Sequence, residues 1–298
     1  MGSGVGRWAG ALIVGIVMLL PRSGSAEGVS QVFVSQRILP HFKFSRTRYL
    51  LIYPEPAPDR VALLFAGGDG KLSIPNDGNI PATGLGLNFL VRSRMDFVKN
   101  GIAVAVVDAP NDIPLSSETQ RMTDAYAQDI EALIQHVRQK LPNAKVWLVG
   151  TSSGTISVVK TAATFPKKRP QQVDPTAADG IVLTASQVAT HKPNAVSQVR
   201  CTRTIFDVVP PLSSFDVPGL IVRSRGDKCP CSAASRQFPL PPPPLTNVPP
   251  HSSPTEIVNI DDGGSKPGAD VCSALAAHGF YNKERETVAI IANFIKAN

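Results

Sequence analysis

Ser152 stands at the centre of Gly150-Thr151-Ser152-Ser153-Gly154, a G-x-S-x-G pentad between an apolar run and a segment able to form a helix. A turn this tight between strand and helix leaves no room for side chains at its two flanking positions, and it holds the serine hydroxyl exposed above the sheet edge. Such a hydroxyl is a poor nucleophile until a base takes its proton, and imidazole, with a pKa near neutrality, is suited to that task. A base and an acid are available further along the chain, in Ala276-Ala277-His278-Gly279-Phe280 and Ser224-Arg225-Gly226-Asp227. His278 would take the proton and later return it to the leaving group; Asp227 would hold the imidazole in the required tautomer. The negative charge built up on the attacked carbonyl oxygen needs N–H donors. The backbone of Ser153 is one candidate, with Gly68 or Asp69 of the turn Gly67-Gly68-Asp69-Gly70 as the second.

Each assignment has rivals. His41 and His191 lie before or between strands, His136 falls in a helical stretch and His251 borders a proline-rich segment, so none is expected to follow the last strand as His278 does. Asp261 and Asp262 also follow the last strand but read as turn formers. Asp108 and Asp112 read as loop-structuring residues. Ser186 to Ser197 contains no carboxylate that could replace Asp227.

The elements that would carry these groups alternate. Val32 to Val34, Arg48 to Tyr53, Arg60 to Phe65, Gly101 to Asp108, the run from Lys145 into the pentad, Asp179 to Thr184, Val217 to Arg223 and Glu256 to Ile260 read as strands. Leu87 to Phe97 can be helical. Between Ser117 and Leu141 the period changes, and Ile130, Leu133, Ile134, Val137 and Leu141 share one helical face. The stretch after the pentad is read as a helix ended by Pro166, and Thr287 to Ala297 as a closing amphipathic helix. Strands alternating with helices predict an α/β architecture, a mostly parallel central sheet with helices on both faces. In such sheets functional groups gather at the carboxyl ends of the strands, which is where Ser152, Asp227 and His278 fall.

The first 26 residues read as a signal peptide: Arg7, an uncharged apolar stretch from Trp8 to Leu20, Pro21, then Gly24-Ser25-Ala26 as a cleavage site. The apolar stretch is short for a permanent membrane span. Its removal takes away Arg7 and Arg22 and no acid, lowering the net charge from +7 to +5. Residues 27–298 are expected to form one domain, with a proline-rich insertion at about 239–250. The small scattered charge surplus, with aromatics at 6%, argues against a nucleic-acid partner. Four cysteines in an exported chain predict two disulfides, because Cys229-Pro230-Cys231 lacks the C-x-x-C spacing usual for zinc.

The order Ser152, Asp227, His278 on this succession of strands, preceded by the glycine turn at Gly67 to Gly70, resembles the α/β-hydrolase superfamily over almost the whole mature chain. More narrowly, Asp227-Lys228-Cys229 and a cysteine, Cys272, shortly before His278-Gly279-Phe280 are similar to exported bacterial hydrolases of unassigned substrate. The resemblance implies the α/β-hydrolase fold and a serine hydrolase, carboxylesterase-like, acting on a small-molecule acyl substrate. It implies no cofactor, no metal and no stable membrane insertion after cleavage. An acyltransferase using the same residues, or a binding protein that kept the fold, are the alternatives. In this setting a Cys229–Cys272 bridge would tie the loops of Asp227 and His278 together, leaving Cys201 and Cys231 as the other pair.

Overall fold

A computed structural model describes residues 28–38, 44–115, 118–166, 174–187, 189–193, 199–204, 217–230, 232 and 255–298. The expected signal peptide, the proline-rich insertion, His41, His251 and Cys231 lie outside the described residues.

In chain order the elements are β1 (Val29–Ile38), β2 (Phe44–Tyr53), β3 (Arg60–Phe65), α1 (Phe89–Arg92), α2 (Arg94–Lys99), β4 (Ala103–Val107), α3 (Glu118–Arg121), α4 (Asp124–Lys140), β5 (Lys145–Thr151) and α5 (Gly154–Thr164). They continue with β6 (Gly180–Thr184), β7 (Ala189–Pro193), β8 (Val199–Thr204), β9 (Gly219–Ser224), β10 (Thr255–Ile260) and α6 (Glu284–Ala297). Among the described residues the main sheet runs β1-β2-β4-β3-β5-β6-β9-β10. β1 and β2 pair antiparallel, as do β2 and β4; every later pairing is parallel.

The apolar runs of β3 to β6 follow from burial on both sides, since successive residues of a strand face opposite ways. Val61, Leu63 and Phe65 pack with Leu148 and with Ile130, Leu133, Ile134 and Val137 of α4 and Ile156 and Val159 of α5. Ala62, Leu64, Trp147 and Val149 pack on the other face with Phe89, Phe97, Val288, Ile291 and Ile295. The helical stripe read from Ile130 to Leu141 is therefore the buried face of α4.

Several boundaries differ from the sequence reading. The stretch from Leu87 to Phe97 is two helices, broken at Ser93, whose N–H and hydroxyl both donate to the Phe89 carbonyl, a back-bonding that bends helices. The long helix expected from Ser117 is likewise interrupted: Thr123 accepts from the Tyr126 N–H at 3.2 Å and caps α4, separating it from α3. α6 begins at Glu284, one turn earlier than expected. β1 and β2 are longer than expected because their backbones pair over ten residues irrespective of side-chain polarity. β7 and β8 form a separate antiparallel pair that the sequence reading missed; Ala-Thr-His-Lys-Pro carries no apolar alternation to announce it.

Candidate active site

β5 delivers Ser152 at the carboxyl edge of the sheet, with β3 on one side and β6 on the other. Its backbone takes φ 52°, the left-handed region that a serine rarely adopts. The Ser152 N–H donates to the Thr184 carbonyl at 3.0 Å, and the Ser152 carbonyl accepts from the N–H and the hydroxyl of Thr155. These bonds hold the strained residue from both flanks. The glycines are there because the chain passes too close for a Cβ. One built on Gly150 would lie 2.6 Å from the Gly154 carbonyl oxygen, and one on Gly154 would lie 2.2 Å from that of Phe65.

The other two groups come from loops after β9 and β10. Asp227 closes a turn by donating its N–H to the Ser224 carbonyl, and its side chain is almost fully buried. His278 lies in a single turn of 3-10 helix, Ala277 to Gly279, which Phe280 leaves in a left-handed conformation. The buried Phe280 ring packs on Phe89 at 4.9 Å between centroids. The Gly279 carbonyl accepts from Arg92, which also pairs with Glu284. These contacts anchor the carboxyl end of the turn, and at its other end the Ala277 N–H donates to the Ser265 hydroxyl at 3.2 Å.

Asp227 Oδ2 lies 3.0 Å from His278 Nδ1, and His278 Nε2 lies 3.0 Å from Ser152 Oγ. A carboxylate at Oδ2 accepts the Nδ1–H, which leaves the Nε2 lone pair facing the serine hydroxyl. The remaining Asp227 oxygen, Oδ1, accepts the N–H of Cys229 at 2.9 Å, and Cys229 is joined to Cys272 by a disulfide with 4.7 Å between Cα atoms. The second pairing expected, Cys201 with Cys231, involves a residue outside the described set.

The glycine turn Gly67 to Gly70 lies beside the serine: a Cβ on Gly67 would fall 2.9 Å from Ser152 Cβ. Gly70 N–H closes the turn on the Gly67 carbonyl, and Ser153 Oγ donates to the Gly68 carbonyl at 3.0 Å. The N–H groups of Ser153, Gly68 and Asp69 donate to no other group among the described residues.

The rivals have other work. Asp262 caps its own loop by accepting the Gly264 N–H, and Asp261 is exposed and pairs with Arg225. Asp108 accepts from the N–H groups of Leu72, Ile74 and Ala109, and Asp112 from the Ser45 hydroxyl. His136 sits on α4 beside Tyr49, and burial followed by the nearby Lys140 lowers its pKa. His191 lies in β7. No three His, Cys, Asp or Glu side chains converge as a metal site among the described residues.

Arg121 was not singled out from the sequence. The residue is 1% exposed, and its guanidinium donates to the carbonyls of Ala66 and Gly68 and to Ser157 Oγ. Two of its partners are backbone atoms more than fifty residues away, and no local pattern announces such contacts.

Neither a known family model nor a curated protein sequence matches the chain. Solved structures do match. The Pyrococcus furiosus esterase Pf2001 aligns at 11% identity with a TM-score of 0.55, covering 90% of this chain and 93% of its own. Dienelactone hydrolase from Anabaena variabilis aligns at 11% identity and a TM-score of 0.53, over 91% and 98% of the two chains. XC6422 from Xanthomonas campestris, described as an a/b serine hydrolase without lid, aligns at 13% identity and a TM-score of 0.50, over 93% and 97%. At these identities the likeness is one of fold.

Proposed function

On the α/β-hydrolase fold that this chain adopts, we propose that it is an exported serine hydrolase with Ser152, His278 and Asp227 as its catalytic residues. The observation that carries this reading is the unbroken chain Asp227 Oδ2, His278 Nδ1, His278 Nε2, Ser152 Oγ, with 3.0 Å at each step between side chains. A fold alone assigns no chemistry; this order of acid, base and nucleophile supports acyl transfer through the serine.

In the first half-reaction Ser152 Oγ bonds to the substrate carbonyl carbon while its proton passes to His278 Nε2. The tetrahedral oxyanion is received by the Ser153 N–H and one from Gly68 or Asp69. Its collapse breaks the bond to the leaving alcohol, which departs with the proton from His278. Water then attacks the acyl-enzyme, giving its proton to His278, and the carboxylic acid leaves as Ser152 recovers its proton. Asp227 stabilises the imidazolium throughout without itself taking a proton. Carboxylic esters of small or medium acyl groups are the proposed substrates. Export is supported by the apolar stretch from Trp8 to Leu20 and the Gly24-Ser25-Ala26 site after it, which read as a signal peptide, and by the Cys229–Cys272 disulfide. No helix among the described residues is long and apolar enough to cross a membrane.

The test is a series of p-nitrophenyl esters of graded chain length, read for p-nitrophenol release by the wild type and by Ser152→Ala. The expected result is an initial burst stoichiometric with enzyme, followed by turnover, and neither in the variant. Turnover appearing only with an added alcohol acceptor would make the enzyme an acyltransferase. A folded wild type that releases nothing from any ester would overturn the hydrolase.

A further inference from the structure

We infer that Arg121 is a positioning residue that sets the oxyanion-binding turn against the nucleophile, an inference that rests on the serine-hydrolase reading above. The two walls that would hold the oxyanion come from distant parts of the chain. One is the Gly67 to Gly70 turn after β3; the other is the Ser153 end of α5. Arg121, at the end of α3, reaches both. Nη2 donates to the Gly68 carbonyl at 2.9 Å and to the Ala66 carbonyl at 3.2 Å, while Nη1 donates to Ser157 Oγ on α5 at 2.8 Å. The Asp69 N–H thus belongs to the peptide whose Gly68 carbonyl Arg121 holds, and the Gly68 N–H lies between the Ala66 and Gly68 carbonyls that the same planar, permanently charged group fixes.

Lysine would not do this equally well, because a guanidinium spreads several donors in a rigid fork. Gly70 leaves space for it: a Cβ there would lie 2.9 Å from Arg121 Nη2. Ser153 Oγ adds a second bond to the same Gly68 carbonyl, so the nucleophile's neighbour and the arginine converge on one peptide. Burial strengthens these contacts, because bonds to a charged donor in a water-poor setting are about twice as strong as neutral ones. Donors held in advance need no rearrangement when charge develops on the substrate, which is what transition-state stabilisation requires. Arg121 touches no reacting atom; its effect passes through the turn.

The experiment compares the wild type with Arg121→Met, Arg121→Lys and Ser157→Ala. Wild type and Ser152→Ala are measured first; if they turn over ester equally, the hydrolase reading has failed, which is separate from the outcome below. Active sites are then titrated by the burst so that rates refer to folded, competent enzyme. Arg121→Met should lower kcat per titrated site about 100-fold with little change in KM, as a displaced transition-state contact does. Its inhibition by a trifluoromethyl ketone, whose serine adduct carries an oxyanion, should weaken in parallel. Arg121→Lys should recover part of both. Should Arg121→Met not fold, Ser157→Ala, which removes the acceptor of Arg121 Nη1, carries the test with a smaller parallel loss. A lower melting temperature with unchanged kcat per titrated site and unchanged ketone affinity would overturn the inference, leaving Arg121 structural.

Discussion

The Cys229 N–H donates to Asp227 Oδ1 at 2.9 Å, while the sulfur of the same Cys229 is bonded to Cys272 in the loop that leads to His278. One residue therefore holds the carboxylate by its backbone and the histidine loop by its side chain. Removing the bridge should matter twice. The Cys229→Ala/Cys272→Ala double variant keeps the amide but frees a loop spanning 43 positions. It should lose roughly 2–4 kcal/mol of stability and show a lower kcat, measured by urea unfolding and ester turnover. An unchanged unfolding midpoint would contradict this.

Replacing the acid tests its role without changing its shape. Asp227→Asn should leave KM near the wild-type value and lower kcat by about 10⁴, because an amide can fix the wrong imidazole tautomer and cannot offset the imidazolium charge. Steady-state kinetics on a p-nitrophenyl ester reads both constants.

The elbow should tolerate no side chain at Gly154. Its Cβ would press on the Phe65 carbonyl oxygen and on that of Ala66, both backbone atoms at the end of a buried strand. Gly154→Ala should cost about 1–3 kcal/mol or more of stability and lower the burst amplitude with it. Thermal unfolding and burst titration check the two together.

How far such features can be read without coordinates depends on how local they are. Gly150, Ser152 and Gly154 fall within five positions, and the turn that needs them follows a strand evident from its apolar run. Asp227 and His278 are far from Ser152 in sequence, yet each follows a strand, so the topology of a parallel sheet was enough to gather them. The breaks at Ser93 and Thr123 were not legible, because each depends on whether one hydroxyl bonds a neighbouring backbone group or faces water. Arg121 was least legible. It falls inside the stretch from Ser117 to Leu141 but ahead of the apolar face that starts at Ile130, and its acceptors, the Ala66 and Gly68 carbonyls and Ser157 Oγ, are all distant in sequence.

A pH effect on stability is expected from His136. Burial, then the nearby Lys140, lowers its pKa from the ordinary 6.5, so the folded protein favours the neutral ring. The unfolded chain binds the proton more readily, so this contribution is present above about pH 6.5 and is lost as pH falls below it toward the folded-state value. His136→Gln should flatten that part of the stability profile relative to wild type, measured by urea unfolding between about pH 5 and pH 7. Equal slopes in the two proteins would contradict the sign.

The central claim is that Ser152 is a nucleophile activated by His278. Its most direct measurement is labelling of the folded protein by a fluorophosphonate probe, with the modified peptide located by mass spectrometry. The account predicts one adduct, on Ser152, absent from Ser152→Ala and strongly slowed in His278→Ala. A folded wild type that takes no label, or equal labelling of wild type and Ser152→Ala, would contradict it.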